Sequence, residues 1–113
     1  MNIINLTPHA IVLMPYEGCQ HCCVDIPTSG EIARCNVDRK QVDSITIDDI
    51  TVSINRTQFG EVTGLPGFQP DTIYIVSAVV AQAVPYRPDV FIVDDAVRDD
   101  QGRIIGARAL AHV

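Results

Sequence analysis

The stretch from Asp71 to Asp95, DTIYIVSAVVAQAVPYRPDVFIVDD, holds the residues best placed to do chemistry. Ser77 ends one apolar run and opens another, as a helix N-cap does, so the amides of Ala78 and Val79 are left open at the helix start. Open amides and the positive end of a helix dipole favour an anion. Asp94 and Asp95 close the next apolar run, at the carboxyl end of a neighbouring strand, where open α/β sheets put their ligands. Asp94 and Asp95 are expected to accept from ribose hydroxyls or a base edge, with Arg87 and Arg98 as counter-charges. His9, in the bend after Pro8, offers an imidazole that can serve as base, donor or ligand contact. The expected ligand-binding set is therefore Ser77, Ala78, Arg87, Asp94, Arg98 and His9, with no catalytic residue among them. Each has a plainer reading too: Ser77 as a cap alone, and His9 as a turn residue bonded to nearby backbone.

The cysteines carry a second possible chemistry. Cys19, Cys22 and Cys23 crowd around His21, and Cys35 follows. Cys-x-x-Cys is half of a zinc site, but structural sites need a second spaced pair, which this chain lacks. Adjacent Cys22 and Cys23 would point to opposite faces of a strand. Reduced, metal-free thiols are the favoured reading, with zinc, or a disulfide in an exported chain, as the alternatives, and no cofactor is expected. The doublets Asp48-Asp49, Asp94-Asp95 and Asp99-Asp100 read as turns or solvated ends ahead of cation sites. Ser77 lacks the Gly-x-Ser-x-Gly elbow of a hydrolase nucleophile.

The elements that must position these residues are mostly strands. Runs at 2–6 and 10–14 flank the bend at Pro8, which cannot donate to a ladder. Residues 23–26 and 31–37 flank Pro27-Thr28-Ser29-Gly30, a turn signal, and are expected to form a hairpin. In SITIDDITVSIN, Ile45 and Ile47, then Ile50, Val52 and Ile54, alternate with polar residues around Asp48-Asp49. That period of two predicts two strands with one buried face. The run at 59–63 adds strand. Residues 72–76 and 90–93 are apolar enough for strands buried on both faces, and 78–84 predicts a helix of about two turns ended by Pro85. A strand, helix and strand joined so tightly predict a parallel crossover, with an antiparallel return as the alternative. Ile73, Ile75, Val76, Phe91 and Val93 are the expected core. A last hairpin turns through Asp99-Asp100-Gln101-Gly102. His112, next to the end, is expected to fray. The fold class is α+β: one β-rich domain over 1–113 with a short helix in a strand-helix-strand unit.

Composition sets the bounds. With 47% hydrophobic and 19% charged residues in 113, the chain has material for a core and no sign of disorder. A net charge of −6 and a pI near 4.7 exclude the basic face on which nucleic-acid binding depends. Seven of the eight basic residues are Arg, whose rigid donor fork suits carboxylate or phosphate. No segment approaches the roughly 20 apolar residues of a membrane helix, and the first residues lack a signal peptide's pattern. A cytosolic protein without a membrane partner is expected.

Three phrases carry a resemblance: Asn5-Leu6-Thr7-Pro8-His9, Tyr74-Ile75-Val76-Ser77, and Val97-Arg98-Asp99 followed by Gly102-Arg103-Ile104-Ile105-Gly106. With Gly60-Glu61-Val62-Thr63-Gly64-Leu65-Pro66 between them, the chain resembles a group of small proteins of bacteriophages, prophages and bacteria. The resemblance brings no catalytic motif. It implies a small-molecule binder or an inhibitor of host defence ahead of a metabolic enzyme. With the residues above, the expectation is a non-enzymatic protein that captures a small anionic or nucleotide-like molecule, one role being to counter host defence signalling, in the cytosol of an infected cell. Two alternatives stand beside it: a protein–protein inhibitor or accessory phage factor without a ligand site, and an enzyme acting on a nucleotide or phosphoester. Self-association into a homo-oligomer is expected.

Overall fold

A computed structural model describes residues 1–16 and 23–113. The described elements are β1 (Asn2–Asn5), β2 (Ile11–Leu13), β3 (Val24–Ile26), β4 (Arg34–Ile47), β5 (Ile50–Thr63), β6 (Thr72–Ile75), α1 (Ala78–Ala83), β7 (Val90–Arg98) and β8 (Ile104–Ala111). Strands dominate and the one helix lies between strands, as the sequence predicts for this fold class.

Six strands form one sheet in the order β1-β6-β7-β8-β2-β3. Its centre is the strand-helix-strand unit. The run at 72–75 is buried along most of its length, and β6 lies parallel to β1 on one side and to β7 on the other. Ser77 caps α1, its hydroxyl accepting from the Val80 amide at 3.4 Å. The helix ends at Val84, just before Pro85, and α1 returns the chain for the parallel crossover that the spacing predicts. β7 then runs to Arg98, further than its apolar part, and pairs antiparallel with β8. Gly102 occupies the left-handed position of that hairpin at φ 80°.

The core gathers where α1 lies over the sheet. Tyr74 and Ile75 are 0% exposed, and Leu6, Val76, Val80 and Val90 join them. The expected core is right for Ile75 and Val76. Ile73 and Phe91 are half-buried, and Val93 is 43% exposed. The reason is coverage: the helix is only six residues long and shields one face of β6 and the start of β7, not the length of β7.

One expectation fails on pairing and another at His112. Residues 23–26 and 31–37 form no hairpin; β3 pairs with β2, and β4 pairs with β5. The turn signal at Pro27–Gly30 is spent on β1 instead, where the Ser29 amide and hydroxyl donate to the Asn5 carbonyl at 3.2 and 2.7 Å. His112 does not fray: its ring packs on Phe91 with centroids 4.3 Å apart, and its Nδ1 lies 3.2 Å from the Val90 carbonyl.

The remaining two strands start against the core, where Cys35 and Val62 pack on it, and their distal parts leave the body. β4 and β5, 14 residues each, form a separate two-stranded ribbon whose only sheet partners are each other. Asp48 and Asp49 make its turn with φ 49° and 66°, the paired positive values of a type I′ turn. The alternation in SITIDDITVSIN is present, but the face it predicts to be buried is exposed: Ile47 is 52% and Ile50 66% accessible. This arm stretches the molecule to 59 × 39 × 22 Å and its radius of gyration to 17.9 Å. A compact chain of this length would have about 13 Å.

Candidate functional site

The Asn5–His9 phrase is a hydrogen-bonded turn built on one buried side chain. Asn5 is 1% exposed. Its Nδ2 donates to the His9 carbonyl at 2.7 Å and to the Ile26 carbonyl at 3.4 Å. Its Oδ1 accepts from the Thr7 amide at 2.9 Å and the Thr7 hydroxyl at 2.6 Å. Leu6, between them, sinks into the core. Asn5 thus fixes the bend after β1 and ties β1 to β3, so Thr7, Pro8 and His9 stand at a defined height above the sheet.

That bend is one wall of a cleft of about 680 Å³. Thr7 to Val12 form this wall, and Ile75 to Ala78 form the floor at the carboxyl end of β6. Ile92 and Val93 of β7 and Ile104 to Ala107 of β8 close the far side. Gly106 belongs there for steric reasons. A Cβ at that position would lie 2.8 Å from the Val12 carbonyl and 2.7 Å from the Met14 sulfur, so only glycine lets β8 approach β2. The lining is aliphatic apart from Thr7, His9 and Ser77.

The polar groups differ in what they have left to offer. Thr7 gives its proton to Asn5. Ser77 accepts from Val80 and keeps its own hydroxyl proton for a ligand. The His9 ring has no hydrogen bond among the described residues, since its contacts run through its carbonyl. A ligand therefore meets an apolar slot with one hydroxyl donor and one imidazole at its rim.

Of the expected set, the fold brings His9, Ser77 and Ala78 together on this cleft and leaves the other three outside it. Asp94 is one residue past Val93 on an alternating strand, paired with Ala109, and does not line the cleft. Arg87 precedes β7, at the other end of the sheet. Its Nε and Nη2 donate to both carboxylate oxygens of Asp89 at 2.8 Å, and Nη2 reaches the Pro66 carbonyl at 3.0 Å. That bidentate bond holds the Asp89 carboxyl below its ordinary pKa against the opposing effect of burial, and raises Arg87. Arg98 Nη1 donates to the Gly102 carbonyl at 2.7 Å, clamping the β7–β8 turn. In the same turn Asp99 accepts from the Arg103 and Gln101 amides, which lowers its pKa.

Both arginines thus hold the frame, and no Arg or Lys lines the cleft. The helix behind Ser77 has six residues, too few to sum a large dipole. The wall from Ile104 to Gly106 was missed by sequence reasoning. Its residues lie some thirty positions from Ser77 in the chain, and only the β7–β8 pairing brings them round.

Cys19, Cys22 and His21 lie outside the described residues. The Cys35 thiol is 3.4 Å from the Asn36 carbonyl and 3.6 Å from that of Gly60. Among the described residues no three His, Cys, Asp or Glu side chains group to hold a metal ion, and no helix is long and apolar enough to cross a membrane. No protein-family model, curated protein or solved structure matches this chain.

Proposed function

We propose that this protein is a non-enzymatic binding module whose cleft between the Thr7–Val12 wall and β8 takes one small molecule with a flat, largely apolar body and a polar edge. A nucleoside-like base is the chemical class that fits. The observation that carries this is the lining: aliphatic side chains on every side, with the Ser77 hydroxyl and the His9 ring as the only polar side chains among the described lining residues not already committed. Pockets that orient small ligands combine an apolar slot with a few directed polar groups. The parts of a nucleotide that such a slot can grip are its base and sugar. Its phosphate would face solvent, because no Arg or Lys lines the cleft.

Three further points support the reading. The cleft lies across the carboxyl ends of parallel β1 and β6, the position at which sheets of this kind bind ligands. Its wall is rigid, being fixed by a buried Asn with four bonds. The phrases Asn5–His9, Tyr74–Ser77 and Arg103–Gly106, far apart in the chain, each contribute lining residues.

Calorimetry against a panel of nucleobases, nucleosides and their phosphates tests this. Binding should be retained when phosphate is removed, and should weaken about tenfold in Ser77→Ala, the loss of one directed hydrogen bond. A cleft-filling Ala107→Phe should abolish it. Binding that requires phosphate, or an intact response in Ala107→Phe, would overturn the proposal.

A further inference from the structure

The arm presents a face that a monomer leaves in water. Cross-strand register puts Asp43 with Ile54, Ile45 with Val52 and Ile47 with Ile50 on one side of the ribbon. The other side carries Gln41 with Asn55, Ser44 with Ser53 and Thr46 with Thr51. One face thus carries five β-branched apolar side chains with Asp43 at its body end, next to the Lys40–Arg56 pair in register, and its reverse is hydroxyl and amide. A free two-stranded ribbon is marginal in water, and a one-sided apolar stripe on it gains nothing unless covered.

The charges around the stripe say what covers it. On its body side, Lys40 lies directly opposite Arg56 on the same face. Like charges in that position repel. On its tip side stand Asp48 and Asp49. Among the described residues none of these four side chains has a hydrogen bond or ion pair. Val52 is four residues from Arg56 and three from Asp49, about 13 and 10 Å at strand rise. A two-fold axis through Ile45 and Val52 would therefore lay the acidic turn of one arm on the basic pair of another, at both ends at once. A same-direction overlap would instead set acid on acid and base on base.

We propose that the arm docks face to face with the arm of a second copy of this chain, antiparallel, with its apolar stripe packed on its own equivalent. Sheets stack so at about 10 Å, and a two-fold contact uses the same patch twice. Net charge does not oppose it. Residues 34–63 carry four basic and five acidic side chains, −1 of the chain's −6. The stripe is about 13 Å long from Ile50 to Ile54 and about 10 Å wide from strand geometry, small beside the roughly 800 Å² per partner of a standard interface, so the dimer is reversible. This inference is independent of the cleft.

Sedimentation of the full chain between about 1 and 500 μM, the range in which small interfaces associate, is the test. The wild type should pass from monomer to dimer. Ile45→Thr/Val52→Thr keeps strand-forming side chains but wets the stripe, and Lys40→Glu/Arg56→Glu turns the basic pair against the acidic turn. Each should weaken the dimer at least tenfold with an unchanged far-ultraviolet spectrum, and salt near 1 M should weaken the wild-type dimer severalfold. A wild type monomeric throughout would overturn the proposal. So would a dimer indifferent to either variant, or an arm that binds neutral lipid vesicles in place of its own copy.

Discussion

Arg87 shows how a residue chosen for recognition can be claimed by the frame. As one of seven arginines in an acidic chain it reads as a counter-charge for a ligand, yet its guanidinium closes on Asp89, whose side chain is 3% exposed. Removing the cation strands a buried carboxylate, so Arg87→Ala should lower stability by about 2–3 kcal/mol, measured by urea unfolding at neutral pH. The sign with pH follows from the depressed Asp89 pKa. Its contribution is complete above the ordinary carboxylate value of about 3.9 and is lost as pH falls through the lower folded value. The gap between wild type and Arg87→Ala should therefore close below about pH 4. A gap that persists in acid would mean the loss is packing, not charge. The same distinction explains what was legible of the site. Ser77 and His9 could be found because a cap and a post-proline bend are local events. The partners of Arg87, Arg98 and Asp94 could not, because a side chain's nearest opposite charge or carbonyl depends on where the loops land.

At the level of elements, the body and the arm obey different rules with similar sequences. β6 and the distal arm are both rich in Ile, Val and Thr, but α1 covers the first and nothing among the described residues covers the second. Ile75→Ala, at a fully buried position, should cost roughly 2–5 kcal/mol. Ile47→Ala, half in water, should cost under about 0.5 kcal/mol in dilute solution, as surface changes do. Equal losses in denaturant titrations would show that the arm is packed in the monomer. Strand positions, the Ser77 cap, the crossover and both tight hairpins were legible because period and turn chemistry are local. The hairpin expected across Pro27–Gly30 was not, since a turn signal says that the chain bends and not which strand it then meets. Period two likewise reports that a strand has an apolar face. It does not report whether that face finds its cover inside the same molecule.

The whole molecule is a small curled sheet with a long ribbon projecting from it, and its dimensions are measurable. Dilute protein should scatter X-rays with a radius of gyration near 17.9 Å, with a longest dimension near 59 Å. A value near 13 Å would place the arm against the body. The same layout has a consequence for how the chain comes to be folded. β1 is made first, yet its partner is β6, with Asn2 opposite Thr72. At about 5–20 residues per second of synthesis, β1 waits roughly 4–14 s for the strand it pairs with. The ribbon waits for nothing, because its two strands are consecutive and a hairpin closes in about 1–10 μs. The arm can thus close, marginally and reversibly, on the ribosome while β1, Leu6 and the Asn5 turn still lack their neighbours. On a polysome, nascent chains would hold such ribbons close together before any of them has a core. Order of emergence places the ribbon among the first parts able to meet another copy and the cleft among the last to form.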